Sequence, residues 1–396
     1  MTQPASRPPA TVKPPFWRDP AKRALIFQLL MLAGVFGVLA IIVSNTLTNL
    51  ESRGITTGFA FLDNTAGFGI LQSLIDYSEQ STYGDTFIVG LLNTLLISAL
   101  GVIAATVIGF IMGVARLSPN WLISRLAAVY IEVFRNIPLL LQIFFWYFAV
   151  LRTLPSPRGS LSLGEAFFLN VRGLFVPAPI TSSGFSVVIA VLVLAVVASG
   201  IFSYWNRQRQ ARTGQRLPAV WISLALIIVA PLLAYFAMGM PLSWELPELK
   251  GFNFRGGITV VPEFLALWVA LSVYTAAFIA EIVRSGIEAV PHGQTEASRA
   301  LSLSGGMTLR LVVVPQALRV IIPPLTSQYL NLIKNSSLAT AIGYPDLVSV
   351  FAGTTLNQTG QAIEVIAMTM LVYLTISLLV SMFMNWFNAR MALVER

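Results

Sequence analysis

Eight times along this chain a run of about 20 residues or more passes with almost no charge, near residues 24 to 43, 87 to 115, 130 to 150, 184 to 204, 219 to 239, 259 to 283, 317 to 342 and 363 to 387. A helix rising about 1.5 Å per residue crosses the hydrocarbon of a bilayer in that length, and it satisfies its own backbone where lipid offers no hydrogen bonds. With 11% charged residues, where a soluble domain carries about a quarter, the chain has too little polar surface to coat a globule in water. Its length of 396 residues would allow about two or three soluble domains, yet the recurring runs make one membrane bundle instead. The expected fold is an all-α integral membrane protein of about eight transmembrane helices.

Charge orients the bundle. Residues 1 to 20 are Pro-rich, carry Arg7, Lys13 and Arg18, and lack a small-residue cleavage site beyond the first apolar run, so they read as a cytoplasmic tail. Lys22 and Arg23 precede the first span, whereas Glu51, Asp63, Asp76, Glu79 and Asp85 follow it against Arg53 alone, which puts the N-terminus inside. Arg207, Arg209, Arg212 and Arg216, with no acid among them, put the turn after the fourth span inside as well. The loop around Glu245 and Glu248 then falls outside and the C-terminus inside. One loop disagrees: residues 152 to 183 should be external yet carry Arg152, Arg158 and Arg172 against Glu165.

The net charge of +8 sits in short stretches beside the spans, with no basic reader motif, so nucleic acid is not a partner while membrane lipid is. Without cysteine there is no disulfide, thiolate metal site or cysteine nucleophile. Trp146, Trp205, Trp221, Trp268 and Trp386 lie in or near span ends, where interfacial aromatics belong. Gly109 and Gly113 have the spacing that lets two helices approach closely, here for packing within the bundle.

Between the sixth and seventh spans lies a polar insert. Val290-Pro291-His292-Gly293 breaks the preceding helix, Thr295 can restart one, and Gly305-Gly306 can end it. Ala297, Ala300 and Leu301 share a helical face, with Glu296 and Arg299 free to meet water or a partner. A solvated loop is the plain alternative.

The spacing of this insert resembles the cytoplasmic EAA loop of ABC importer permeases. Glu296 and Ala297 open it, three residues separate Ser298 from Ser302, and nine more lead to Val312, Val314 and Pro315. Ser298 stands where the family has a third small residue and Ser302 where it has glycine. The run Pro315-Gln316-Ala317-Leu318-Arg319, then Leu332-Ile333-Lys334-Asn335-Ser336-Ser337-Leu338, resembles the polar amino-acid branch of those permeases. So do the blocks from Tyr130 to Gln142 and from Ala280 to Arg284. With three helices beyond the usual core, the chain is similar to the long Q-type permease subunits of general L-amino-acid ABC transporters.

The resemblance implies a type I (MetI-like) five-helix permease core plus one N-terminal and two inserted helices. Residues 1–82 would hold the tail, the extra first helix and an external loop, 83–151 the first part of the core, and 152–258 the insertion. Residues 259–390 would hold the second part, with the coupling loop at 286–315. It further implies a second permease subunit in a heterodimer, a cytoplasmic ABC ATPase dimer, a periplasmic amino-acid-binding protein and a bacterial inner membrane. Glu296, Ala297, Ser298, Arg299, Ala300, Ser302 and Pro315 would couple to the ATPase. No Gly-x-x-x-x-Gly-Lys-Ser/Thr run exists here, so ATP and Mg belong to the partner ATPase, and this chain binds no cofactor or metal and catalyses no reaction.

A charge within a span costs about 2.5 to 3.5 kcal/mol at the helix centre, so those retained should face protein or a water-filled path. Lys334, with Asn335, Ser336 and Ser337, is placed to meet a substrate carboxylate or to pair with a carboxylate of another span. Glu281, Glu132 and Gln142 are further pathway candidates; Glu281 with Arg284 reads equally as the cytoplasmic end of a span. Pro323 and Pro324 should bend the seventh span as a gate or a kink, and Pro138 the third. His292, the only histidine, reads as an exposed turn residue. A secondary, ion-coupled amino-acid transporter is the rival, with Lys334 and Glu281 as proton carriers. A membrane hydrolase lacks a convergent nucleophile and base.

Overall fold

A computed structural model describes residues 20–52, 57–215 and 217–391. The tail arginines and lysine, Arg53, Arg216 and the last residues, 392–396, lie outside the described residues. In chain order the helices are α1 (Pro20–Ser52), α2 (Tyr83–Arg116), α3 (Trp121–Asn136), α4 (Leu139–Phe144), α5 (Phe185–Thr213) and α6 (Ala219–Ala237). They continue with α7 (Pro262–Glu288), α8 (His292–Ala300), α9 (Gly305–Thr308), α10 (Val314–Asn335), α11 (Leu356–Thr359) and α12 (Ala362–Met391). Among the described residues seven helices are long and apolar enough to cross a membrane, and eight if α3 and the segment Leu139–Thr153 form one bent span.

The bundle is built around α7. Ala270, Leu271, Ala276 and Ile279 are fully buried in one cluster with Ile97 and Ala105 of α2 and Ile321 and Leu332 of α10. Along α2, Gly101, Ala105, Gly109 and Gly113 recur every fourth residue, which leaves one ridge almost bare of side chains. A Cβ at Gly109 would lie 2.6 Å from Ile279 Cβ, and one at Gly113 2.7 Å from the Ala280 carbonyl oxygen. In lipid, where apolar surface gains nothing by leaving the solvent, such close packing is what joins helices. The start of α2 is secured by a capping box: Asp85 N–H donates to Thr82 Oγ1 at 3.2 Å and Thr82 N–H to Asp85 Oδ2 at 2.9 Å.

Two expected spans differ in detail. Residues 130 to 150 are not one straight helix, because α3 and the segment Leu139–Thr153 meet at 106°. Pro138 supplies no N–H and forces Ile137 into an extended conformation (φ −97°, ψ 127°). α10 runs as one continuous helix through Pro323 and Pro324. Its irregular turns lie at the ends instead, a π-helical turn at Leu309–Val313 and a 3-10 segment at Ser336–Ile342.

Short strands flank the α5–α6 hairpin: β1 (Leu161–Leu163), β2 (Phe167–Asn170), β3 (Gly173–Val176), β4 (Ala178–Thr181), β5 (Leu242–Glu245), β6 (Glu248–Lys250), β7 (Asn253–Arg255) and β8 (Ile258–Val260). All pair antiparallel, in a sheet of order β1-β2-β3-β8 and in the ribbons β4–β5 and β6–β7. Strands of three or four residues are too short for alternation to show in a sequence. Phe254 stacks on Phe168 at 4.4 Å and lies 5.0 Å from Phe175, forming a small aromatic core. Two of the arginines that ran against the charge pattern are held on rings here, Arg158 over Phe252 at 5.1 Å and Arg152 over Tyr147 at 5.7 Å. Because β4 and β5 pair, both ends of the hairpin leave from one side. α7 leaves β8 on that same side, so the α5–α6 turn and α8 share the opposite side, given that all three helices cross.

Candidate functional site

Pro291, extended and without an N–H, turns the chain out of α7, and α8 begins at His292. That is three residues before the expected restart at Thr295. The helix also stops earlier than Gly305-Gly306, because Ser302 takes a left-handed conformation at φ +56°. Gly305 instead opens α9, where Met307 N–H donates to Ser304 Oγ at 3.4 Å.

The two sides of α8 are unlike. Glu296, Ala297, Arg299, Ala300 and Leu301 are exposed, Leu301 to 76%. Among the described residues neither Glu296 nor Arg299 forms an ion pair. Ser298 turns inward at 3% exposure; its hydroxyl donates to the Gln294 carbonyl at 2.7 Å, and Leu303 N–H donates to the Ser298 carbonyl at 3.1 Å. Gln316 Nε2 donates to Gln294 Oε1 at 3.4 Å, which ties α8 to the first turn of α10. Pro315 stands in that turn, where no intrahelical donor is needed.

Glu281 is engaged from two helices. Arg284 donates to it through Nη2 at 2.5 Å and Nε at 3.2 Å, and Arg135 of α3 approaches to 3.9 Å. Arg284 also reaches Glu288 at 2.5 Å. This cluster joins α3 to α7 near α8. Gln142, 4% exposed, closes the bend at Pro138: its Nε2 donates to the Phe134 carbonyl at 3.0 Å and the Ile137 carbonyl at 2.9 Å, both left without helical partners. Glu132 points outward, with no side-chain partner among the described residues.

The Lys334 ammonium is exposed and has no carboxylate partner among the described residues. Its neighbours turn back on the helix end, Ser336 donating to the Ile333 carbonyl and Ser337 to the Lys334 carbonyl, both at 2.7 Å. Asn335 is half-buried beside them. The structure thus brings Glu296 through Ser302 and Pro315 together, but leaves Lys334, Glu281, Glu132 and Gln142 in separate surroundings.

Asp346 has no signal in the sequence beyond a turn-like Pro-Asp pair, yet it is fully buried. Ser349 N–H donates to its Oδ1 at 2.8 Å and the Tyr373 hydroxyl to its Oδ2 at 3.5 Å. Around it the Tyr344 hydroxyl donates to the Asn93 carbonyl at 3.2 Å and Leu347 N–H to Thr94 Oγ1 at 3.0 Å. Burial pushes the Asp346 carboxyl up to about 7, against the opposing bonds from the Ser349 and Val348 N–H groups and the Tyr373 hydroxyl. Arg319 on α10 is half-buried, with Nε and Nη2 buried and unpartnered among the described residues. Among the same residues no group of three His, Cys, Asp or Glu side chains is placed to hold a metal.

Residues 208–393 match the family described as binding-protein-dependent transport system inner membrane component. The chain is 60% identical over 380 residues to the permease protein YhdX of Escherichia coli, covering 96% of each chain. It is 54% identical over 378 residues to the general L-amino acid transport system permease protein AapQ of Rhizobium johnstonii, covering 96% of this chain and 94% of that one. Against the glutamate/glutamine/aspartate/asparagine transport system permease protein BztB of Rhodobacter capsulatus the identity is 42% over 409 residues, covering 96% of each.

Proposed function

We infer the function from the premise that this chain belongs to the family of binding-protein-dependent transport system inner membrane components: it is a permease subunit of an ABC importer whose cargo is general and polar L-amino acids. It is a multi-pass inner-membrane protein and not an enzyme. The observation that carries the cargo is 54% identity over nearly the whole of both chains with a general L-amino acid permease. These relatives lend no support to the ion-coupled alternative.

Importers of this family work with an ATPase and a substrate-binding protein. In our reading the remaining partner is a second permease in a heterodimer, the ATPase is a cytoplasmic dimer holding ATP and Mg, and the binding protein is periplasmic. Both termini of this chain are cytoplasmic. The core comprises residues 83–151 and 259–390, and residues 152–258 are an insertion.

α8 is the lever. Its exposed Glu296, Ala297, Arg299, Ala300 and Leu301 dock into the ATPase, the left-handed turn at Ser302 sets its exit, and Ser298 with the Gln294–Gln316 bond passes movement to α10 beside Pro315. A nucleotide-driven shift at α8 then biases two packings of the bundle, one open to each side. Lys334 stands about 30 Å along the helix from Val314 and carries a charge with no carboxylate among the described residues to offset it. It faces the translocation path, where Asn335, Ser336 and Ser337 lie beside it and an amino-acid carboxylate supplies the missing partner. Glu281 acts in the ion-pair cluster with Arg284 and Arg135, and Gln142 holds the bend at Pro138.

The test is uptake of labelled L-amino acids into proteoliposomes holding this chain with its partner permease, ATPase and binding protein. Uptake that requires ATP is the expected result. Equal uptake driven by an ion gradient through this chain alone would overturn the reading.

A further inference from the structure

At the turn between α5 and α6 a cavity of about 380 Å³ opens between the two helices. Its walls change character with depth. Following α5 outward, Ser203 gives way to Arg207 and Gln210; following α6 inward, Ser223 gives way to Leu224 and Ile227. The outer wall is cationic and polar, and the inner wall is apolar.

Several features fix the level of this cavity at the membrane surface. Trp205 and Trp221 flank it, 49% and 72% exposed, in the position interfacial aromatics adopt. Apolar helix lies on one side of them and the arginine turn on the other. The end of α5 is tied to the start of α6, since Asn206 donates to the Leu217 carbonyl at 3.1 Å and accepts Leu217 N–H at 3.2 Å.

Charge singles out the ligand. Residues 185–237 contain no Asp or Glu, so Arg207, Arg209 and Arg212 crowd one helix end with nothing acidic on either helix. Among the described residues Arg207 and Arg212 have no carboxylate partner, while Arg209 lies over the Trp205 ring at 5.6 Å. The Ser223 hydroxyl is buried without a partner among the described residues, at the depth where the wall turns apolar. Among the described residues no side chain of the apolar span of α6 is fully buried, which leaves this pair open to lipid.

We propose that the cavity binds an anionic phospholipid, its phosphate on Arg207 with Arg212 adding charge, its ester region near Ser203 and Ser223, and its chains along Leu224 and Ile227. A basic pocket between helices at the membrane surface is the arrangement that holds acidic headgroups. A free phosphate would use the outer wall but gain nothing from the apolar inner one. This site is independent of what the permease carries, and it gives the inserted hairpin a role at the membrane rather than in the path.

The purified transporter complex, exchanged into detergent holding equal phosphatidylglycerol and phosphatidylcholine, is to be examined by native mass spectrometry. The intact complex is expected to retain phosphatidylglycerol, and the Arg207→Gln/Arg212→Gln form to retain about tenfold less at unchanged subunit content and melting temperature. A second variant, Leu224→Trp, fills the apolar wall and keeps every charge; it is expected to lose the lipid too. Retention unaffected by either variant, or equal retention of the two lipids, overturns the proposal. Displacement of the lipid by millimolar inorganic phosphate would reassign the site to a soluble anion. Loss of the ATPase from the arginine variant with lipid retained would reassign the arginines to a protein contact.

Discussion

Ser302 sits at φ +56°, where an L side chain is strained and glycine is not. Ser302→Gly should therefore stabilise the end of α8 by up to about 1 kcal/mol. Amide exchange across residues 297 to 303 measures this; faster exchange in the variant would show that the serine is not strained. Asp346 makes the opposite kind of residue-scale statement. Its folded value, about 7, lies above the ordinary 3.8, so the native state keeps a proton that the unfolded chain has already lost. The stabilising contribution is complete below about pH 4 and disappears as pH rises through the folded value. Melting temperature in detergent should fall between about pH 4 and 7, and Asp346→Asn, which keeps an acceptor for Ser349 N–H, should flatten that slope. A melting temperature that climbs over the same interval would mean the carboxylate form is the one the fold prefers.

At the scale of elements the seam between α2 and α7 is the sharpest test of the bundle. Gly113→Ala puts a Cβ 2.7 Å from a backbone oxygen that cannot rotate away, whereas Gly200 on α5 has nothing within 4 Å. The first change should destabilise by about 1 to 3 kcal/mol and the second by nothing measurable, read from thermal unfolding of the solubilised protein. Equal behaviour of the two would remove the seam from the account. The sequence is informative about these elements to unequal degrees. Spans follow from apolar runs because the bilayer fixes their length, and Gly109 with Gly113 could be paired by spacing alone. Pro138 marked a bend without its angle, since 106° depends on Gln142 reaching back across it. Pro323 and Pro324 do not end the helix, since α10 holds both within one continuous run. Asp346 was invisible: its neighbours Asn93, Thr94 and Tyr373 are remote in the chain, and only packing assembles them.

For the whole molecule the decisive question is whether α8 carries force. Reversing its exposed charge with Glu296→Lys should strip the ATPase from the purified complex and abolish ATP-dependent uptake, while the bundle, which makes no ion pair with Glu296 among the described residues, melts as before. Unchanged co-purification and uptake would remove the lever. The residues proposed to couple were legible because their spacing is a local pattern; the cavity proposed for lipid was not, because it needs two helices side by side. The α2–α7 seam has one more consequence, which concerns time. α2 ends at Arg116 and its packing partner begins only at Pro262, so the ribosome must make everything between them first. At about 5 to 20 residues per second that is a wait of roughly seven to thirty seconds, during which the bare glycine ridge stands unclaimed in the bilayer. A newborn chain is thus open to mispairing during that window, and any factor that shields α2 early would raise the yield of folded permease without altering the finished protein.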